Sequence, residues 1–187
     1  MFRWGARERA PDVETPATRR IVETLSASRA LPKLLNALSA HASPVLLDLG
    51  PVVGSNVSFF GERLSCKIHV EDLFQVIEAH AKTGSTEGLD QAIDGLLGFA
   101  PGSVDGILCW DLFDYLGKSS GQLLAGRLAR LLKKGGVLYG FFGTTPATPV
   151  KRTVLVTRDI NRMFDGLVVA ESVLLKTSSR ETLFRKP

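Results

Sequence analysis

The sequence predicts an α/β domain with a doubly wound, mostly parallel sheet and a C-terminal antiparallel hairpin. Three observations carry this. Short apolar runs at 45–49, 66–70, 104–110 and 137–142 alternate with stretches whose leucines recur at helical spacing. The first run ends in an acid and a glycine turn, Asp48-Leu49-Gly50-Pro51-Val52-Val53-Gly54. The end of the chain supplies two extended runs, 167–176 and 181–186, joined by Thr177-Ser178-Ser179-Arg180.

Residues 1–15 read as an arm and residues 16–187 as one domain. Thr15-Pro16 offers a helix cap followed by proline in the first turn. Ile21 and Leu25, then Leu34, Leu35 and Leu38 after a break at Pro32, give N-terminal helices over 16–42. The core, 45–142, opens with the strand at 45–49. A glycine directly after a buried strand lets the backbone turn tightly and approach a ligand. Gly54 then opens a helix over 53–60 and allows it to pack closely on the strand.

The second strand, 66–70, ends at Glu71-Asp72. An acid there overlooks the crevice of the glycine turn and can accept hydrogen bonds from ribose hydroxyls; Glu71 is the first candidate and Asp72 the alternative. Helices follow at 73–82 and 87–97, interrupted at Gly84-Ser85, with no β-branched run between them. Pro101-Gly102 turns into the strand at 104–110, which ends at Asp111. An amphipathic helix through Leu123, Leu124, Leu128, Leu131 and Leu132 stops at Lys133-Lys134-Gly135-Gly136, with cations and glycines where a helix C-terminus favours them. The remainder, 143–187, contains a Thr/Pro loop, a possible strand at 150–156, a short helix near 159–164 and the closing hairpin.

At 187 residues with 44% hydrophobic content, the chain is large enough for a full core and is globular in class. No apolar run reaches the roughly 20 residues that span a bilayer. The N-terminal arginines are interspersed with Glu8, Asp12 and Glu14 and lack an apolar signal core, so a cytoplasmic location is expected. The net charge of +4 is scattered, without the basic run and interleaved aromatics of a nucleic-acid interface. Cys66 and Cys109 fall on strands expected to be two spacings apart, beyond disulfide reach, and read as buried thiols. His41, His69 and His80 have no metal-ligand spacing, and no metal site is expected.

In order and spacing, several blocks resemble the class I S-adenosylmethionine-dependent methyltransferases. Residues 45–54 are similar to the glycine-rich cofactor motif, and Ile68-His69-Val70-Glu71-Asp72 to the second strand with its ribose-binding acid. Residues 99–108 resemble the strand before the substrate site, 131–138 the helix-turn-strand after it, and 180–187 the last strand. The resemblance implies a Rossmann-like fold with S-adenosylmethionine as cofactor. Asp48, Gly50 and Pro51 would then lie at its methionine end, Gly54 would open the adjoining helix, and Glu71 or Asp72 would hold the ribose. Trp110, Asp111 and Leu112 would stand where the methyl meets its acceptor. Asp111 is the candidate general base; an acid capping the turn after the strand is its structural rival.

Two departures from the family pattern bear on function. Val52 replaces the middle glycine of the acid-x-Gly-x-Gly-x-Gly motif, with Pro51 stiffening the turn beside it. Between Asp72 and Val104 the third strand of the usual seven is missing, together with the polar loop that follows it. The ordered blocks and Glu71 make S-adenosylmethionine-dependent methyl transfer to a small-molecule acceptor the expected function, and the two departures motivate an alternative. The alternative is a methyltransferase-like binding module without catalysis, with a protein partner reached through the arginine-rich arm. A nicotinamide-dependent reductase ranks last, because its fingerprint carries more glycine and the terminal hairpin opposes it.

Overall fold

The apolar runs pair into one six-stranded sheet in the computed structural model, which describes residues 28–51, 54–83, 88–145 and 154–187. In chain order the elements are α1 (Ala30–Ser39), β1 (Val45–Asp48), α2 (Gly54–Leu64), β2 (Lys67–Val70), α3 (Leu73–Thr83) and α4 (Leu89–Leu96). Then come β3 (Val104–Trp110), a 3-10 turn (Leu112–Tyr115), α5 (Lys118–Leu131), β4 (Leu132–Gly143), α6 (Thr157–Met163), β5 (Val168–Leu174) and β6 (Ser179–Arg185). The sheet order is β2-β1-β3-β4-β6-β5. The first four strands are parallel, whereas β6 runs antiparallel to both β4 and β5. The doubly wound sheet and its closing hairpin are as the sequence predicts. Among the described residues only α3 and α4 lie between β2 and β3, so the third strand is missing there.

Alternation along the strands divides the core in two, as a sheet covered on both faces requires. Leu46, Leu108, Val137, Tyr139 and Leu183 meet Leu34 and Leu38 of α1 and Phe60 and Leu64 of α2. Leu47, Ile107, Cys109, Leu138, Phe142 and Phe184 face the opposite way and pack with buried residues of α3, α4, α5 and α6. Helix α1 lies close against β3: a Cβ on Gly106 would stand 2.8 Å from Leu38 Cδ2.

Two buried carboxylates staple these layers. Asp105 accepts the Val45 N–H and the Lys133 ammonium, each at 2.8 Å, and has His41 Nδ1 at 3.6 Å. Burial pushes its carboxyl upward, but Lys133, the Val45 N–H and His41 together outweigh that and hold it below the usual carboxylate range. Glu181, also buried, accepts the Tyr139 hydroxyl at 2.6 Å and the N–H groups of Arg29 and Ala30 at 3.2 and 3.3 Å. Ser28 Oγ hydrogen-bonds to it as well. Arg29 supplies no side-chain cap to α1; the Glu181 carboxylate from β6 takes the Arg29 and Ala30 N–H groups instead, and Ser28 Oγ accepts the Leu31 N–H at 2.9 Å. Burial, then the bond to Glu181 and its charge, raise the Tyr139 phenol well above its ordinary value.

Several boundaries differ from expectation. Pro32 does not break a helix; it sits in the first turn of α1, where its missing N–H has no partner to lose. Helix α2 runs on to Leu64. Strand β4 begins at Leu132, straight from α5, and takes in the predicted turn at Lys133-Lys134-Gly135-Gly136 as an irregularity: Val104 pairs with Leu132 but Gly106 with Val137. Gly135, at φ +79°, accommodates it. Residues 154–156 belong to no strand. Both cysteines are free, with β1 between their strands, but Cys66 is only half-buried. The predicted arm and the helix from Thr15, Val52, Val53, Gly84-Ser85 and the start of the predicted strand at 150–156 lie outside the described residues.

Candidate functional site

The winding of the chain reverses between β1 and β3: β2 lies beyond one and β4 beyond the other. The carboxyl ends of these two strands thus bound a crevice at a topological switch point, where open α/β sheets bind ligands. Asp48 ends β1 and Trp110 ends β3. The buried Asp48 carboxylate is already engaged: Oδ1 accepts the Gly50 N–H at 3.0 Å and the Trp110 Nε1–H at 2.6 Å. Asn56 of α2, a residue the sequence does not single out, donates to Oδ2 at 3.5 Å.

Trp110 has φ +49°, an uncommon conformation for a bulky side chain, which stores about 1–3 kcal/mol of backbone strain. Its half-buried indole stacks on Phe141 (centroids 6.5 Å apart, planes at 21°) and meets Tyr139 edge-on at 6.4 Å. The ring lies on the glycine turn. A Cβ on Gly50 would stand 2.5 Å from Trp110 Cδ1 and 2.7 Å from Nε1, so glycine is needed here by the protein's own side chain. Pro51 is exposed beside it. Gly54 begins α2, but a Cβ there would meet nothing within 4 Å, so close helix-strand packing is not its reason. Beneath the turn, burial and then the Asp48 charge push the Cys109 thiol well above its ordinary range, leaving it an inert core group.

The two acids after β2 have separate situations. Glu71 donates its N–H to the Asp48 carbonyl at 2.8 Å, which fixes the end of β2 beside the end of β1. Its half-buried carboxylate has no hydrogen-bond or ion-pair partner among the described residues. Asp72 Oδ1 instead accepts the Gln75 N–H at 3.0 Å and caps α3.

No family model matches the sequence, and no curated protein matches it. Solved structures do resemble the fold. 1,6-Didemethyltoxoflavin-N1-methyltransferase of Burkholderia thailandensis, with S-adenosylhomocysteine bound, is 12% identical over 90% of this chain and 83% of its own (TM-score 0.55). Geranyl diphosphate C-methyltransferase of Streptomyces coelicolor A3(2), also holding S-adenosylhomocysteine, is 16% identical over 95% and 83% (TM-score 0.57). A geranyl diphosphate methyltransferase in complex with S-adenosylmethionine is 17% identical over 94% and 92% (TM-score 0.56). The chain has the class I methyltransferase fold.

On this methyltransferase fold, the loop after β3 contributes the other wall of the crevice. Asp111 is half-buried and caps the 3-10 turn through its carbonyl, which accepts the Asp114 N–H at 3.0 Å; its side chain makes no capping bond. Leu112 is 2% exposed and packs into the core, so its side chain does not line the crevice. Asp114, passed over in the sequence, is buried and accepts the Gly143 N–H through both oxygens at 3.0 and 2.9 Å. It ties the loop after β3 to the end of β4. Its signal is an acid inside the otherwise apolar run Leu112-Phe113-Asp114-Tyr115-Leu116, a place an unpaired carboxylate would not occupy. Among the described residues no cluster of histidine, cysteine and acids is arranged to hold a metal, and no helix is long and apolar enough to cross a membrane.

Proposed function

We propose that the chain binds S-adenosylmethionine in the β1/β3 crevice and transfers its methyl group to a small-molecule acceptor. The observation that carries this is the Glu71 carboxylate, without a hydrogen-bond or ion-pair partner among the described residues and held beside Asp48 by a backbone hydrogen bond. Its chemistry suits the cofactor at the ribose end: the two acceptor oxygens of a carboxylate match vicinal hydroxyl donors. At the other end, the turn at Gly50 has the glycine a close ligand needs but is covered by the indole of Trp110. The bound cofactor supplies an electrophilic methyl on a sulfonium. The chain's part is to hold ribose through Glu71, to align an acceptor against the loop after β3, and to accept the acceptor's proton at the Asp111 carboxylate. The small-molecule class draws support from the three solved structures of similar fold, which are methyltransferases of didemethyltoxoflavin and of geranyl diphosphate.

Isothermal titration with S-adenosylmethionine and S-adenosylhomocysteine tests the proposal. Saturable heat is expected, with Glu71→Ala weakening affinity at least tenfold, the size of one hydrogen bond to a charged group. Absence of heat and of any thermal shift at high ligand concentration would overturn it. The covered glycine turn favours a second reading, a methyltransferase-fold binding module that neither holds the cofactor nor turns over. That module would give no heat with either ligand and would retain a protein partner on purification.

A further inference from the structure

We infer that Trp110 is a built-in occupant of the cofactor crevice, so that binding requires its indole to leave the glycine turn. This rests on the proposed cofactor site and assigns the residue that governs entry to it. Four observations converge. The indole lies against Gly50 closely enough that a single methyl group there would collide with it. Its Nε1–H takes the Asp48 carboxylate at 2.6 Å, the same oxygen that orders the turn through the Gly50 N–H. The backbone beneath it is held at φ +49°, a conformation that a tryptophan adopts only when its surroundings enforce it. The ring is half-exposed at the mouth of the crevice, stacked on one side by Phe141 and open to solvent on part of its surface, so it has somewhere to go.

A site closed most of the time binds with an affinity lowered by the fraction of time it is open. Here the closed arrangement is stabilised by the Asp48 bond and the Phe141 stack and opposed by the backbone strain. Removing the indole therefore raises affinity, whereas removing an ordinary contact residue would lower it.

The test is calorimetric titration of S-adenosylhomocysteine into wild type, Trp110→Gly and Trp110→Phe. Glycine accepts the positive φ without strain and clears the turn; phenylalanine keeps a ring on Phe141 but loses the bond to Asp48. The expected result is at least tenfold tighter binding by Trp110→Gly and a smaller gain by Trp110→Phe. Equal or weaker binding by Trp110→Gly, with wild type still binding, overturns the gate and leaves the cofactor site standing. If none of the three binds, both fall. Should Trp110→Gly fail to fold, a Trp4→Phe background leaves Trp110 as the sole tryptophan. Its emission is expected to shift to longer wavelength as S-adenosylhomocysteine binds, and an unmoved emission accompanied by binding heat overturns the gate.

Discussion

Position 50 is empty of side chain because position 110 fills the space. Gly50→Ala would place a methyl 2.5 Å from the indole, a separation that packed atoms do not sustain, so the ring or the turn must shift. The expected loss is about 1–3 kcal/mol, read as a lower melting temperature and denaturant midpoint. In the Gly50→Ala, Trp110→Gly double variant most of that loss should vanish, giving a coupling between the two sites that additive behaviour would not. This is also where sequence and structure part. That Asp48, Gly50 and Glu71 stand at or just past strand ends is legible, because each follows a short apolar run. The orientation of Trp110 is not, because a positive φ and a side chain folded back on a turn leave no mark in residue order. Asp114 is legible only in retrospect, as polarity inside an apolar run.

Among elements, α1 depends most on distant contacts. The Arg29 and Ala30 N–H groups at its start go to Glu181, and Ser28, which accepts the Leu31 N–H and bonds the same carboxylate, lies 153 positions from it. Glu181→Ala would take the acceptor from the Arg29 and Ala30 N–H groups, leaving only Ser28 Oγ on the Leu31 N–H, and would deprive the buried Tyr139 hydroxyl of its carboxylate partner. About 2 kcal/mol of stability is expected to be lost, within the range for unsatisfied buried groups. Amide exchange in the first turn of α1 should rise more than exchange in β1 or β3. The leucine periodicity of α1 is plain in the sequence, whereas its start is not: Pro32 looks like a break, and the carboxylate that caps the helix belongs to β6. The first and third strands are the more readable elements, since each is a short apolar run that ends at an acid or just before one. The irregular entry to β4 is the exception, because a lysine-glycine stretch fits a helix stop as well as a bulge.

For the molecule as a whole, acid sensitivity falls partly on Asp105, which joins β1 to the start of β4 across β3. Its carboxyl is lowered in the folded state, so its stabilisation is complete above the unfolded value of about 3.9 and is lost as pH falls through the folded value. The Lys133 side chain is 41% exposed, so solvent screens part of the pair. Asp105→Asn is expected to lower stability at neutral pH by about 1–3 kcal/mol and to flatten the acid limb of urea-melt midpoints between pH 5 and pH 2, in steps of about 1 pH unit. The overall winding is legible because strand, helix and strand alternate, and so is the shortened stretch after β2, because no β-branched run occurs there.

That shortening also changes how wet the crevice is. With no neighbouring strand beyond it among the described residues, β2 is a four-residue edge strand, and Glu71 just past its end is only half-buried. A ligand hydroxyl offered to Glu71 must therefore be exchanged for water that is already there, and hydrogen bonds made in such competition return only a small net gain. At the other end of the crevice, where the half-buried Trp110 indole lies on the Gly50 turn and stacks on Phe141, the exchange is instead of one flat ring for another group.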